Sequence, residues 1–439
     1  MKLNGNAVKI INELNKAGFD GYVVGGCVRD SMLNKEPKDW DICTNALPEQ
    51  MLKVFKSYKV IPTGLKHGTI TVMLGEEGFE VTTYRIDGDY SDGRHPDEVI
   101  FTNKIEEDLS RRDFTINSTA YSEKDGLIDI FGGKSDLEQG IIRCVGSPCE
   151  RFGEDSLRIL RALRFASVLD FEIENETAEV IHTFKDKLKN VSAERISVEI
   201  SKILTGKGVS RILREFKDVI FEIIPELEKS DGFEQNNPYH KNDVWTHTIE
   251  VVRESENDRI LKIAALLHDV GKPYCYTEKP VENIGHFYGH AEVSRGLAEE
   301  ILNRLRFSNK EIEEIITLIK YHDIQLSVTT KFIKRMINKL GESTFRKLLK
   351  LNRADVKGQQ GVIGPEERLN MLDEIEKMID NLELDDLSFT LKSLAISGDD
   401  LIKKGYKPSK EIGETLNRLL EMVINEEIDN TKEELLKHC

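Results

Sequence analysis

Polar and apolar residues alternate over short runs in the first 150 positions, and glycine, proline and aspartate separate the runs. Period-two alternation rich in β-branched residues is typical of strands, and the predicted strands are GYVVGG (21–26), DWDICT (39–44), HGTITVML (67–74) and FEVTTYRI (79–86). Helical periodicity is found at 5–17, 28–33 and 48–58. This mixture predicts an α+β head, a mixed sheet with helices.

After residue 150 the apolar period becomes that of helices, and strand patterns almost vanish. The polar stretch 228–243 contains glycine and proline and predicts a linker. We therefore expect four parts: a head (1–150), an all-α neck and body (151–230), a second all-α domain (240–360) and a helical tail (361–439). Helices are predicted at 154–168, 175–188, 192–204, 209–227, 244–256, 259–270, 290–306, 309–321, 330–339, 343–354, 366–381 and 409–425.

Composition indicates a soluble protein of several domains, because 439 residues exceed one simple core. Hydrophobic residues make up 39% of the chain and charged residues 32%, and we see no apolar run long enough for a membrane span. The amino-terminal segment has no signal-peptide core. Six cysteines lack paired zinc-ligand spacing, so we expect reduced thiols and a cytoplasmic protein.

A net charge of −16 argues at first against nucleic acid as a partner. However, residues 366–439 hold 19 acidic and 10 basic residues, which is over half of the excess. Arginines gather elsewhere, at positions 151, 158, 161 and 164. A local basic groove on an acidic protein therefore remains compatible with the sequence.

Two aspartates, Asp39 and Asp41, follow a glycine pair and an arginine. On a strand they would share one face about 6–7 Å apart, where like charges repel unless a cation lies between them. Mg²⁺ prefers such an oxygen pair together with substrate phosphates. Gly25 and Gly26 would let the backbone approach a phosphate chain, and Arg29 could clamp its oxygens. The pattern predicts two-metal phosphoryl or nucleotidyl transfer; the alternative is a tight turn with two surface aspartates.

The motif GGCVRDSML…KDWDICT (25–44) resembles the first motif of class II tRNA nucleotidyltransferases and bacterial poly(A) polymerases. Further runs resemble the family in the same order: RRDFTINSTAY (111–121), LIDIFGGKSDLEQGIIRCVG (127–146), FGEDSLRILRALRFAS (152–167) and SAERISVEISKIL (192–204). The resemblance implies the polymerase-β-like nucleotidyltransferase fold. It also implies that Arg112 and Asp113 contact the sugar and triphosphate of the incoming nucleotide, although a charge cluster at a helix start is an alternative.

The segment EDSLRILRALR (154–164) could select a base without a template. On one helix Asp155 and Arg158 would share a face, where a carboxylate accepts from an amino group and a guanidinium donates to a ring nitrogen or carbonyl. Such a pair would admit CTP and ATP only; the alternative is a surface ion pair. The resemblance implies base reading by this pair and nucleotide contacts by Arg161 and Arg164, which we expect to reach the phosphates.

Two further resemblances separate CCA addition from poly(A) synthesis. PTGLKHGTI (62–70) resembles the CCA-adding variant, and RIDGDYSDGRHP (85–96) resembles the flexible loop kept by enzymes that add the final A. We therefore predict template-independent addition of CCA to tRNA from CTP and ATP. A poly(A) polymerase, a phosphohydrolase with an RNA-binding head and a non-catalytic RNA-binding protein remain alternatives.

Six of the ten histidines fall between positions 240 and 322, and ALLHDVGKP places a histidine and an aspartate together after an apolar helix. Imidazoles and carboxylates from several helices suit a transition metal that activates water. The pattern H…HD…D resembles the HD phosphohydrolase superfamily, which implies hydrolysis of phosphoesters such as cyclic phosphates on damaged tRNA ends. The residues that fill it are His247, His268, Asp269 and Asp355, with His290 and His322 where two-metal members carry extra histidines.

Overall fold

The structure, a computed structural model, describes residues 1–88, 98–279, 284–359, 364–382, 391–425 and 427–439. Internal contacts divide the chain into two compact units, Met1–Ile223 and Ile224–Cys439. The finer four-part division expected from the sequence stays a prediction. Residues 89–97, which make up most of the predicted flexible loop, lie outside the described residues.

The first unit begins as an α+β fold and continues as helices, which confirms the predicted class. Its strands are β1 Tyr22–Val24, β2 Ile42–Thr44, β3 Lys59–Gly64, β4 Thr69–Leu74, β5 Glu77–Thr83, β6 Arg85–Asp87, β7 Val99–Phe101, β8 Ala120–Ser122, β9 Gly126–Ile128, β10 Ile141–Ile142 and β11 Glu172–Ile173. Its helices are α1 Gly5–Lys16, α2 Gly26–Met32, α3 Pro48–Val54, α4 Ile105–Ser110, α5 Gly133–Gln139, α6 Pro148–Glu154, α7 Leu157–Leu169, α8 Asn175–Phe184, α9 Ala193–Leu204, α10 Val209–Glu215 and α11 Lys217–Ile223.

Seven of these strands form one mixed sheet in the order β3-β4-β5-β2-β1-β8-β9. The pair β2 and β5 is parallel, with Ile42 opposite Val81, and the other neighbours in this sheet are antiparallel. Because side chains alternate across a strand, Val23 and Ile42 enter the core that α1 and α3 cover, whereas Tyr22 and Cys43 enter the core on the opposite face. The sheet is therefore buried on both faces around its central strands.

Several predicted elements have different bounds in the structure; the helix predicted at 209–227, for example, is two helices, α10 and α11. Two of the differences concern predicted site residues. The strand predicted at 39–44 begins only at Ile42, so Asp39 and Asp41 precede the regular strand. The helix predicted at 154–168 is two helices, α6 and α7, because Asp155 has an extended backbone (φ −140°, ψ 103°) between them. Its Oδ1 accepts a hydrogen bond from the backbone N–H of Leu157 at 3.1 Å, which favours a new helix start over continuation. The premise that Asp155 and Arg158 lie on one helix was wrong.

The described residues of the second unit are mainly helical, with a short antiparallel strand pair, β12 Thr277–Lys279 and β13 Ile284–His286. Its helices up to residue 381 are α12 Val244–Glu254, α13 Arg259–Leu267, α14 Lys272–Cys275, α15 His290–Arg304, α16 Asn309–Tyr321, α17 Thr330–Leu340, α18 Glu342–Gly358 and α19 Glu366–Asn381. Beyond them the described residues form the helices Gly398–Lys403, Lys410–Ile424 and Lys432–Lys437.

Helices α12, α13, α16 and α18 pack against one another in the second unit, and α15 packs on α16. Asp243 and Asp258 fix the starts of α12 and α13 by accepting from backbone N–H groups at 2.6 Å and 3.0 Å. The last helices form a separate apolar cluster around Leu401, Leu419 and Leu435. Within the described ranges, no helix combines the length and apolar composition needed to cross a bilayer.

Candidate functional site

A pocket of about 390 Å³ opens in the first unit at the ends of β1 and β2. It gathers nine of the residues that the sequence singled out: Gly25, Gly26, Arg29, Asp41, Arg112, Asp113, Asp155, Arg158 and Arg161. Asp39 and Arg164 are not on its lining. These nine residues come from three separate stretches of the chain, so the fold brings distant motifs to one cavity.

Asp41 stands beside a carboxylate that the sequence reasoning missed. Because β2 and β5 run parallel with Ile42 opposite Val81, Glu80 flanks Asp41 across the two strands. The Asp41 side chain reaches solvent, yet the surrounding protein displaces much of its water, and this raises its pKa. The negative charges of Glu80 and Asp39 raise the pKa further, and only Arg112 opposes them. Clustered carboxylates that repel one another fit a hard divalent cation.

Both the backbone conformation and the surroundings of position 25 require a glycine. It has φ +78°, a conformation that favours glycine, and its N–H donates to the Thr119 carbonyl at 3.0 Å. A Cβ there would lie 3.0 Å from Nη1 of Arg112. Arg112 is held from its other side by Asp108, whose Oδ2 accepts from Nη2 at 3.1 Å. The glycine therefore leaves room for a guanidinium at the floor of the pocket.

Asp113 is buried and makes an ion pair with Arg161 through Oδ2. Its Oδ1 accepts from the Asn117 side-chain amide at 3.1 Å, and Asn117 accepts from Nη1 of Arg29 at 2.7 Å. Burial opposes ionisation of Asp113, but the Arg161 charge and the Asn117 amide outweigh it and lower the pKa to about 2. Asp113 therefore orients Arg161, and through Asn117 it is linked to Arg29.

One aromatic ring lies among three guanidinium groups. The Phe165 centroid is 5.1 Å from Cζ of Arg29, 5.5 Å from that of Arg161 and 4.1 Å from that of Arg164. Such contacts are attractive and reduce the repulsion between neighbouring cations. Arg164 is held by Oε2 of Glu199 at 3.0 Å, which explains why it does not line the pocket.

The predicted base-reading residues share the pocket but not an ion pair. Arg195 donates to Oδ2 of Asp155 at 2.7 Å. Arg158 instead donates to the backbone carbonyls of Arg151 and Arg111, at 3.2 Å and 3.3 Å. Both side chains are thus held by partners other than each other, which fixes a carboxylate and a guanidinium on one wall.

Several lining residues escaped the sequence reasoning, namely Arg111, Asn117, Leu157, Phe165 and Arg195. All five lie inside runs that carried the family resemblance, so the runs themselves were the available signal. Which member of a run faces a pocket depends on local backbone geometry, and the motif spacing alone did not reveal it.

The second unit brings together all six predicted metal ligands. His247 lies on α12 and Asp355 on α18, His268 and Asp269 directly follow α13, His290 begins α15 and His322 directly follows α16. All six side chains are buried or nearly so. Five helices therefore converge, through their sides or their ends, on one cluster of imidazoles and carboxylates.

Asp269 is the centre of this cluster. Its Oδ2 lies 3.4 Å from Nε2 of His247 and 3.1 Å from that of His268, and its Oδ1 lies 3.4 Å and 3.5 Å from Nε2 of His290 and His322. Asp355 adds Oδ1 at 3.0 Å from Nε2 of His247. One carboxylate oxygen thus faces each pair of histidines, an arrangement that suits two neighbouring cations.

The histidine tautomers suit metal binding. Nδ1 of His268, His290 and His322 lies 2.8, 2.8 and 2.6 Å from the backbone carbonyl three residues earlier. An Nδ1–H that donates to a carbonyl leaves Nε2 with a lone pair, and here each Nε2 faces Asp269. Within the described part of the chain, Nε2 of His268 and both oxygens of Asp269 are buried without a well-directed hydrogen bond. Nε2 of His268 and Oδ1 of Asp269 are therefore available to a metal, whereas Oδ2 of Asp269 also lies beside the ammonium group of Lys272.

The raised pKa of His247 is a second indication that the cluster suits a cation. Burial opposes a charge on His247, but Asp269 and Asp355 raise its pKa to about 9. A proton there offsets the carboxylate charge, and a cation would displace it on binding. Two more residues that the reasoning did not assign complete the surroundings: His240, whose ring centroid is 4.8 Å from that of His247, and Lys272, whose Nζ is 2.7 Å from Oδ2 of Asp269.

Comparison with protein-family profiles finds three matches. Residues 21–143 match the poly A polymerase head domain, residues 170–230 match an RNA and SrmB binding site of polymerase A, and residues 285–439 match tRNA nucleotidyltransferase domain 2. The head-domain match covers the carboxylates, the glycine pair and Arg112. Together with the pocket, it defines the protein as a nucleotidyltransferase.

Similarity to individual proteins extends over the whole chain. The CCA-adding enzyme of Pediococcus pentosaceus is 34% identical over 98% of this chain and 96% of its own, and that of Bacillus licheniformis is 32% identical over 99% and 98%. The crystal structure of the Bacillus stearothermophilus CCA-adding enzyme in complex with CTP has a TM-score of 0.71 at 27% identity, covering 98% of this chain and 96% of that one. The chain belongs to the family of CCA-adding enzymes.

Metal use is supported at a general level. Nucleotidyltransferases of this family use a divalent metal. The described residues include three groups of histidines and aspartates that could hold an ion, and all three lie in the second-unit cluster.

Proposed function

We propose that this protein adds the sequence CCA to the 3′ end of tRNA without a template, using CTP and ATP and releasing pyrophosphate. The observation that carries the proposal is the convergence of nine residues from separate motifs on one pocket in a CCA-adding enzyme. The tRNA 3′-hydroxyl attacks the α-phosphorus, a new P–O bond forms, and the bond to the β-phosphate oxygen breaks. The hydroxyl proton passes to solvent.

Asp39 and Asp41, with Glu80 beside them, would hold Mg²⁺. Mg²⁺ activates the hydroxyl and neutralises triphosphate charge when bound. Burial is the main cause of the raised pKa of Asp41, and repulsion from Glu80 and Asp39 adds to it; a bound cation would offset both effects, which supports this role. We propose that Arg29, Arg112 and Arg161 bind the phosphates, since Phe165, Asp108 and Asp113 hold them in place beforehand.

Asp155 and Arg158 would read the base. A carboxylate accepts from the exocyclic amino group of C or A, and a guanidinium donates to the acceptor beside it, whereas U and G do not present that pattern. Bidentate contacts of this kind discriminate by about 1–3 kcal/mol in nucleic-acid grooves. Because Arg195, Arg151 and Arg111 hold the pair rigidly, little ordering is needed when the base arrives.

The test is incubation of tRNA lacking its 3′ CCA with each labelled nucleoside triphosphate and with mixtures of them. The proposal predicts two C additions with CTP alone, one further A with CTP and ATP, and none with UTP or GTP. Long A tails would instead identify a poly(A) polymerase. No incorporation, with release of phosphate, would favour a phosphohydrolase with an RNA-binding head.

We propose a second activity, metal-dependent hydrolysis of phosphoesters, for the second unit. It is supported by six buried ligands that converge on Asp269 with their Nε2 atoms facing it. A transition metal bound there would activate water. Water adds to phosphorus, a P–O bond breaks, and the leaving oxygen takes the proton, as with a cyclic phosphate on a damaged tRNA end.

A matched pair of variants tests this second activity. Release of p-nitrophenol from bis-p-nitrophenyl phosphate with added Mn²⁺ should disappear in Asp269→Asn, and CCA addition should persist. Asp39→Asn should show the reverse. Equal hydrolysis by the wild type and Asp269→Asn would contradict the assignment.

We also propose that the protein acts in the cytoplasm, where tRNA is matured. All six cysteines are free in the structure, and three of them, Cys27, Cys43 and Cys144, are buried. Reduced buried thiols agree with a reducing compartment.

A further inference from the structure

Exposed aromatic side chains are concentrated beside the second-unit cluster. Among the described residues, three aromatic side chains are strongly exposed: Tyr239 at 44%, Tyr274 at 45% and Tyr288 at 69%. Each lies within two residues of a group at the cluster, namely His240, Lys272 and His290. Because aromatic rings gain free energy from burial, this distribution indicates rings kept exposed around one site.

Tyr288 is the most exposed of the three, and its ring is already ordered. It stacks on His286 with centroids 5.2 Å apart and planes 6° from parallel. The intervening residue, Phe287, contacts the cluster in two ways. Its backbone carbonyl accepts a hydrogen bond from Nδ1 of His290 at 2.8 Å, and its ring lies 5.4 Å from Nζ of Lys272. The stacked pair is therefore anchored next to the metal ligands.

The other two tyrosines differ in their surroundings. Nζ of Lys229 lies 4.3 Å from the centroid of Tyr274, so a cation already covers one face of that ring. Tyr239 is at the tip of a tight turn, between Asn237 and His240, whose backbones pair with each other. Only Tyr288 is the exposed member of a parallel stack, which a further flat ring can extend.

We propose that His286 and Tyr288 form a stacking platform for the base of a nucleoside phosphate whose phosphate group reaches the cluster around Asp269. The inference rests on the proposed hydrolytic activity and gives it a substrate class: a nucleobase joined to a phosphorylated ribose, either free or at the end of an RNA. Stacking on an aromatic side chain is attractive for every base, because each base has a flat π-face. The Cα atoms of Tyr288 and His290 are at most about 7 Å apart, so one nucleotide can span platform and cluster.

Fluorine NMR on the full chain labelled with 3-fluorotyrosine tests the platform directly. The Tyr288→Phe variant identifies the resonance of Tyr288, and that of Tyr274 is the internal control because Lys229 covers its ring. Adenosine 2′,3′-cyclic phosphate should shift the Tyr288 resonance in a saturable way, in metal-free protein or in protein loaded with diamagnetic Zn²⁺, and ribose 5-phosphate should not. His286→Ala should weaken the nucleotide about tenfold, equivalent to about 1.4 kcal/mol.

A Tyr288 resonance that does not move, or moves equally with ribose 5-phosphate, would overturn the platform. Because this readout is binding, it is independent of turnover: hydrolysis without a Tyr288 shift refutes the platform alone, and a shift without hydrolysis refutes the activity alone. An RNA oligonucleotide ending in a cyclic phosphate shows whether the bound nucleotide is a free nucleotide or the end of an RNA. Stronger binding than the free nucleotide identifies an RNA end, and equal or weaker binding identifies a free nucleotide; both support the platform.

Discussion

Replacing Asp113 by Asn tests the electrostatic framework of the nucleotide pocket. The amide keeps an acceptor for the backbone N–H of Phe114, 2.9 Å from Oδ1, but it cannot neutralise Arg161. The pKa of Asp113 falls from 3.8 to about 2 on folding. At about 1.4 kcal/mol for each pH unit, the charged form contributes about 2 kcal/mol to the free energy of unfolding at neutral pH.

The sign of this pH dependence follows from the lowered pKa. A carboxyl group with a lower pKa in the folded state stabilises the protein above pH 3.8, and its contribution is lost as the pH falls from 3.8 through about 2. The wild type should therefore exceed Asp113→Asn by about 2 kcal/mol at pH 7, and the gap should narrow below about pH 4.

Urea unfolding followed by tryptophan fluorescence measures this difference in the free energy of unfolding, provided that the reporter tryptophan lies in the first structural unit, as Asp113 does. The chain has two tryptophans, so a Trp245→Phe background leaves Trp40, in the first unit, as the reporter. Glu123→Gln, in the exposed turn between β8 and β9, is the matched control and should change stability by no more than about 0.5 kcal/mol. Equal stability of Asp113→Asn and the wild type at pH 7, or a constant gap down to pH 3, would refute the reasoning.

Three further predictions concern the same pocket. Gly25→Ala should lower the free energy of unfolding by about 1–3 kcal/mol and weaken CTP binding, whereas Gly126→Ala, also at positive φ (+75°) but with open space around it, should affect stability alone; thermal melts and CTP titration separate the two effects. Glu80→Gln should raise the Mg²⁺ concentration for half-maximal CCA addition, and an unchanged Mg²⁺ dependence would remove Glu80 from the metal site. Arg195→Ala should free the Asp155 carboxylate and reduce the preference for CTP over UTP, measured as the ratio of kcat/KM, by about 1–3 kcal/mol; an unchanged ratio would contradict a role in holding the base reader.

The sequence predicted the general architecture because periodicity is local. Alternation over 67–86 and helical spacing beyond residue 150 each require only neighbouring positions, and both predictions agree with the structure. Element ends were less accurate, as at Ile42 and at Asp155. The break between α6 and α7, for example, depends on the hydrogen bond that Oδ1 of Asp155 accepts from the backbone N–H of Leu157. Helix propensity alone does not locate such a bond.

Partners distant in sequence could not be predicted from spacing. Glu80 meets Asp41 only because β2 pairs in parallel with β5, and Arg195 meets Asp155 only because α9 packs on α7. In the second unit the six ligands were assigned by resemblance to an ordered pattern. Their meeting at Asp269 arises from how five helices pack, and the backbone carbonyls that orient three imidazoles lie at the ends of three of those helices, α13, α15 and α16.

The central claim is that the carboxylates just before β2, Asp39 and Asp41, carry the chemistry of nucleotide addition. The most direct measurement is single-turnover pyrophosphate release from CTP with tRNA lacking CCA, together with CTP affinity, for the wild type, Asp39→Asn and Asp41→Asn. The account predicts that both variants still bind CTP and release no measurable pyrophosphate. Release at the wild-type rate by either variant would contradict it.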